Sequence, residues 1–343
     1  MFSQRIGVGV CGLGNAGWCI HLRYLHSTPK FEVVGVYDIG KKRIKMACKE
    51  FSCRGYSTYE DMLKDTHIQL VVIATPNHLH KDLTVQALKN GKNVIVEKPM
   101  CVTTEEANSM IEVAKQSGLM LSAHQNRRWD GDFLAIKEVV EKGVIGKPIF
   151  IQSKFFGGPY RPMSEDLKMY GGDWKKSWSL KKEFGGGALH SWGVHLLDQI
   201  LSWIKSPVST VFGIVKSVIG FEDYFKSILD FKDGLRVEVE VSRCSRITTS
   251  MPRWYIIGEK GDISMFFKSD IVLRKNCEDK EKKLKKYPDK NEEYYENIYG
   301  VLTGDQELIV TPEQVRKVVM LSEAIRESSK TKQTVKLPGY VGI

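Results

Sequence analysis

The chain has 343 residues, 42% of them hydrophobic and 27% charged, with a formal charge of +10. At about 150 residues per domain this length allows two domains, each with a core of its own, and the composition excludes a collagen, a disulfide-dense mini-protein and a mostly disordered chain. The charge leaves nucleic acid, an acidic surface or an anionic small molecule as partners to weigh. Seven cysteines with no C-x-x-C pair read as free thiols in a reducing compartment, not as a zinc knuckle. No charged leader precedes the first apolar run, and no run reaches the roughly 18 apolar residues of a membrane span. A cytoplasmic protein with no membrane partner is expected.

The first third alternates short Val- and Ile-rich runs with helical patterns. Ile6–Cys11, Val33–Tyr37, Leu70–Ala74, Asn93–Val96 and Met120–Ala123 read as buried strands. Gly17–Leu25, Lys41–Glu50, Leu79–Lys89 and Thr103–Gln116 read as the helices between them. Such alternation calls for a parallel sheet covered on both faces, a doubly wound Rossmann domain over residues 1–125.

From residue 126 to 343 the pattern changes. After a helix near Asp132–Glu141 come strands at Ile149–Phe156, Val208–Val218, Phe225–Phe231, Arg236–Ser242, Trp254–Gly258, Asp262–Phe267 and Ile271–Arg274. Several alternate in polarity, as a sheet wet on one face requires, and Asp233-Gly234 and Lys260-Gly261 supply hairpin turns. Helices are expected at Gly187–Ile204 and Pro312–Ser328. The second domain is thus α+β, with a large mostly antiparallel sheet. Arg274–Lys290, with eight basic and four acidic residues, reads as a mobile solvated hairpin or loop.

Gly12-Leu13-Gly14-Asn15-Ala16-Gly17 is a G-x-G-x-x-G run between the first strand and the first helix. In that position the glycines allow a tight turn and close backbone approach, and the helix start attracts a pyrophosphate. Asp38 lies 21 residues past Gly17, at the end of the second strand, where a carboxylate accepts from ribose hydroxyls and repels a 2′-phosphate. That favours NAD; Lys41, Lys42 and Arg43 keep NADP open.

Thr75-Pro76-Asn77-His78-Leu79-His80 and Glu97-Lys98-Pro99 end the next two strands on the same carboxyl edge, where open α/β sheets bind ligands. Lys98 puts a cation there, and the X-Pro bond permits a cis peptide. Further on, Gly185-Gly186-Gly187 enters a helix carrying Ser191, His195 and Asp198 at i, i+4 and i+7, so that hydroxyl, imidazole and carboxylate share a face. Nothing around Ser191 resembles a nucleophile elbow, and no histidine spacing fits a metal site. Trp174 offers either a platform for a sugar ring or a cover for the sheet.

The order GLGNAG, ATPNHLH, EKP, HQNRRWDGDF and GGGALHSWGVHLLDQ resembles the Gfo/Idh/MocA family of sugar and cyclitol oxidoreductases over nearly the whole chain. The resemblance implies Lys98 and His195 as catalytic residues. It implies a cofactor site of Gly12, Gly14, Asn15, Ala16, Gly17, Asp38, Thr75, Pro76, Asn77, His80, Glu97, Lys98 and Asn126. Arg128, Ser191 and Asp198, with Trp174, become the substrate candidates. Ser191 departs from the family, many of whose members have an aspartate there that orients the histidine.

The expected activity is hydride transfer between NAD(P) and a secondary alcohol of a sugar, glycoside or cyclitol. A non-catalytic NAD-binding regulator, or a reductase of a non-sugar carbonyl or dihydrodiol, are the alternatives on this fold. A nucleic-acid partner is not expected, because the basic residues are dispersed without an aromatic-basic platform. The sheet's open apolar face calls for a homo-oligomer, dimer or tetramer.

Overall fold

In the structure, a computed structural model describing residues 5–157, 178–245, 251–267 and 269–337, the early alternation becomes a six-stranded sheet. Its strands are β1 (Ile6–Cys11), β2 (Phe31–Tyr37), β3 (Arg54–Gly55), β4 (Leu70–Ile73), β5 (Asn93–Val96) and β6 (Leu121–Ala123). The order is β3-β2-β1-β4-β5-β6, and every pairing is parallel. Around it lie α1, which opens as a π-helical turn (Ala16–Leu22) and continues as Arg23–Ser27, then α2 (Lys41–Phe51), α3 (Tyr59–Lys64), α4 (His80–Lys89) and α5 (Thr104–Ser117). Both faces are covered, so β1 and β4 are buried at every residue. A capping box of Thr103 and Glu106 starts α5, and left-handed Gly118 ends it. The strand order reverses between β1 and β4, which opens a crevice at their carboxyl ends. The short β3 and α3 were not legible in the sequence.

The second sheet has nine strands. They are β7 (Pro148–Phe156), β8 (Val208–Ser217), β9 (Glu222–Phe231), β10 (Arg236–Ser242), β11 (Pro252–Gly258), β12 (Gly261–Phe266), β13 (Ile271–Lys275), β14 (Lys282–Leu284) and β15 (Val335–Lys336). Only β7 and β10 pair in parallel. As the alternation requires, Val237, Val239 and Val241 are buried while Glu238 and Glu240 are half-buried between them. Helices α6 (Gly131–Glu141), α7 (Val194–Trp203) and α9 (Pro312–Thr331) join the sheet in the second core. The basic stretch 274–290 contributes strand β14, which pairs with β13 at the sheet edge. No helix among the described residues is long and apolar enough to cross a membrane.

One element crosses the division at residue 125. Helix α8 (Glu293–Thr303) buries Tyr294, Tyr295 and Ile298 in the core of the first sheet, together with Val310, Val315 and Val319. The apolar stripe at 294, 295 and 298 has helical spacing, and the first sheet's outer helices leave a face for it. The first domain therefore takes in chain from both ends of the sequence.

At the centre of the second core Trp254 is fully buried and stacks on Phe133 with ring centroids 6.1 Å apart. Trp254→Ala should cost about 3–5 kcal/mol, read as a fall in the urea midpoint of the transition that reports the second sheet.

Candidate active site

The crevice begins at the glycine turn. Gly12 has φ of +95°, and a Cβ there would lie 2.5 Å from the Ala74 carbonyl oxygen. A Cβ on Gly17 would lie 1.9 Å from the Gly12 carbonyl oxygen, so helix and strand meet without room for a side chain. Gly14 differs: a Cβ there meets nothing within 4 Å, which leaves open space for a ligand. Asn15 and Ala16 follow at the helix start, Asn15 exposed and Ala16 half-buried. Asp38 accepts from the Leu13 N–H at 2.7 Å and the Gly40 N–H at 2.7 Å, one to each carboxylate oxygen, with Arg43 at 3.4 Å. Each oxygen keeps acceptor capacity for a hydroxyl. The buried Thr75 Oγ1 has no hydrogen-bond partner among the described residues. An unclaimed hydroxyl, an open glycine and a carboxylate with spare lone pairs at the sheet's switch point fit a dinucleotide.

Other candidates on this edge are committed to the protein itself. Asn77 donates from Nδ2 to the Gly185 carbonyl at 2.8 Å, joining the first domain to the glycine entry of the later helix. His80 is fully buried, its ring nitrogens 2.8 and 2.9 Å from the carbonyls of Pro99 and Thr75. The side chains of Asn77 and His80 thus fasten loops in place. Pro76 and Asn126 are half-buried, Asn126 at the head of a 3-10 turn (Asn126–Trp129) after β6. Trp174 lies outside the described residues.

Glu97 is also held within the protein. Its Oε1 accepts from His21 Nε2 at 3.0 Å and His124 Nδ1 at 2.9 Å, and its Oε2 from the Lys98 N–H at 3.0 Å. Tyr295, from α8, donates its hydroxyl to His21 Nδ1 at 2.8 Å. Hydrogen bonds therefore account for each of these contacts. Burial pushes the Glu97 carboxyl up, but its two imidazole partners outweigh burial and hold it well below the usual range.

Lys98 follows in a cis peptide with Pro99. Its ammonium donates to the Ser191 carbonyl at 2.8 Å, across from the first domain to the second. Burial lowers its pKa, opposed by Glu97, with Arg127 and Arg243 lowering it further. Three residues near the first sheet meet the segment of Ser191, His195 and Asp198 in order. Lys98 meets Ser191, Gln125 meets His195, and Arg128 meets Asp198. Ser191 sits in a π-helical turn (Leu189–Gly193), and its hydroxyl donates to the Ala188 carbonyl at 3.3 Å, away from His195. His195 Nδ1 donates to Gln125 Oε1 at 3.2 Å. Burial, then the charges of Lys98 and Arg127, push the imidazole pKa well down, so the ring is neutral.

Arg128 and Asp198 form a buried two-pronged ion pair at 2.8 and 2.7 Å, and Arg128 Nη1 donates to Ile309 O and Gln314 Oε1. Both side chains are thereby engaged within the fold. Arg127, passed over in the sequence, is the arginine whose charge acts on Lys98 and His195. Its guanidinium lies 4.4 Å over the Trp192 ring and binds Asp130 at 3.1 Å, while Trp192 meets the His195 ring edge-on at 6.0 Å.

A Rossmann crevice facing a lysine and a neutral histidine across two domains defines a dinucleotide-dependent oxidoreductase. The chain matches the "Oxidoreductase family, NAD-binding Rossmann fold" over residues 6–125 and the "GFO/IDH/MocA C-terminal domain" over residues 133–264. It belongs to the Gfo/Idh/MocA oxidoreductases, and its first sheet is their NAD-binding domain. It is 28% identical to the uncharacterized oxidoreductase YdgJ of Escherichia coli, over 97% of this chain and 99% of that one. It is 27% identical to the scyllo-inositol 2-dehydrogenase (NADP(+)) IolW of Bacillus subtilis, over 97% and 96%. The crystal structure of an NAD-binding protein from Listeria innocua superposes with a TM-score of 0.85 at 32% identity, covering 97% of each chain.

Four buried histidines set an acid limit. Burial holds His21, His80, His190 and His195 below the ordinary 6.5, His190 at about 3. Below pH 6.5 the unfolded chain binds protons there that the folded one does not, so stability falls as pH falls. The loss is about 1.4 kcal/mol per pH unit for each histidine. Urea midpoints should therefore drop steeply between pH 6 and pH 5, above the range where most carboxylates titrate.

Proposed function

We propose that this protein oxidises a secondary alcohol of a sugar, glycoside or cyclitol with NAD(P), or runs the reverse reduction. The observation that carries the reading is the Lys98 ammonium held on the Ser191 carbonyl at 2.8 Å, one turn of helix before His195. It brings a cation from one domain to a neutral imidazole from the other. His195 Nε2 accepts the hydroxyl proton as general base. Lys98 donates to the same oxygen and stabilises its developing negative charge. Arg127, flat on Trp192, donates to other hydroxyls of the ring. The bound dinucleotide supplies the two-electron chemistry, taking the carbinol hydrogen as hydride. The name of the B. subtilis relative, a scyllo-inositol 2-dehydrogenase, supports a cyclitol or similar polyol.

A panel of inositols, hexoses and glycosides, read by absorbance of the reduced cofactor, should find a substrate. Lys98→Met should then lower kcat by at least about a thousandfold while NAD binding stays measurable; full turnover in this variant would remove Lys98 from the mechanism.

Asp38 favours NAD over its 2′-phosphorylated form, with Arg43 at 3.4 Å ready to receive that phosphate once the carboxylate is gone. Asp38→Ser should shift the NADP-to-NAD ratio of kcat/KM toward NADP by about tenfold or more. The face of the second sheet on which Phe150, Tyr255 and Ile257 stand half-buried supports a homo-oligomer as the assembly.

A further inference from the structure

Consecutive residues at the end of β6 serve the two halves of the site. His124 holds Glu97, whose other oxygen holds the Lys98 N–H, and Gln125 reaches His195. His195 Nδ1 has one hydrogen-bond partner among the described residues, the Gln125 amide oxygen at 3.2 Å, and both residues are buried. The Ser191 hydroxyl is turned to Ala188 and leaves that task to Gln125. His195 Nε2 makes no hydrogen bond to the described residues.

We propose that Gln125 is the positioning residue for His195. An amide oxygen can only accept, so it fixes the proton on Nδ1 and leaves Nε2 as a lone pair toward the cleft. The role rests on the reading of His195 as the proton-transfer group.

A neutral partner suits these surroundings. The charged and titratable groups facing His195 are Lys98, Arg127, Glu97 and His124. Glu97 is already engaged by His21, His124 and the Lys98 N–H. A carboxylate at position 125 would stabilise the imidazolium against Lys98 and Arg127; the amide directs the ring without doing so. The base therefore stays unprotonated over a wide pH range. The buried Gln125 Nε2 has no partner among the described residues, so the contact to His195 is the one hydrogen bond its side chain makes there.

The test needs no substrate. Imidazole nitrogen NMR of the whole protein, with the His195 signal assigned by its loss in His195→Asn, should show the Nδ1–H tautomer with no titration down to about pH 5. In Gln125→Leu the tautomers should mix. In Gln125→Glu the His195 titration midpoint should rise by about one pH unit or more. An Nε2–H tautomer in the parent protein, or an unchanged His195 signal in Gln125→Leu, would overturn the proposal. Should the buried glutamate prevent folding, the leucine variant decides alone. Turnover of His195→Asn on the polyol panel separately tests the catalytic reading. If it stays active, that reading fails while the tautomer result still stands or falls by itself.

Discussion

The Arg128–Asp198 ion pair is the constraint on which the site's geometry depends. A guanidinium meets a carboxylate through two parallel hydrogen bonds, and its remaining nitrogen is satisfied by Ile309 O and Gln314 Oε1. A fork of this kind fixes distance and direction together. The pair anchors the turn after β6 to α7, and Gln314 adds the first turn of α9. With Asp198 held, His195 three residues earlier and Ser191 a further turn back are placed against Gln125 and Lys98. Breaking such a buried pair leaves an unpaired charge, so its loss would disturb stability and catalytic alignment at once.

The electrostatics divide into a quiet layer and a working layer. Behind the strand ends, Glu97 is neutralised by hydrogen bonds from two imidazoles, with Tyr295 completing the chain. In front, the Lys98 ammonium rests on a carbonyl instead of a carboxylate. A lysine paired with a carboxylate would have its charge largely spent. One resting on a carbonyl keeps two further donors and most of its field.

What the sequence disclosed was local. The glycine turn, Asp38 and Lys98 stand out because they sit at strand ends, and residues 195 and 198 because of helical periodicity. Their partners were hidden because they come from far along the chain: Gln125 is 70 residues from His195, and Tyr295 is 274 residues from His21. Spacing carries no signal at such separations. Arg127 and Arg128 show the limit at its smallest. They are the same residue type side by side, and only the 3-10 turn that holds them decides which faces Trp192 and which is buried with Asp198. The π-helical turn around Ser191 was equally unreadable, yet it carries the carbonyl that receives Lys98.

The placement of α8 has a consequence for how the protein is made. Tyr294, Tyr295 and Ile298 complete a core whose strands end at Ala123, so the nascent dinucleotide domain waits for chain synthesised about 170 residues later. At about 5–20 residues per second that interval is on the order of ten seconds or more. Throughout it the face later covered by the two tyrosines is bare apolar surface, available to a chaperone or to another nascent copy. His21 meanwhile lacks the hydroxyl that fixes its proton. The cofactor domain therefore matures only after the second sheet has been synthesised, and the finished protein acquires both halves of its cleft almost together.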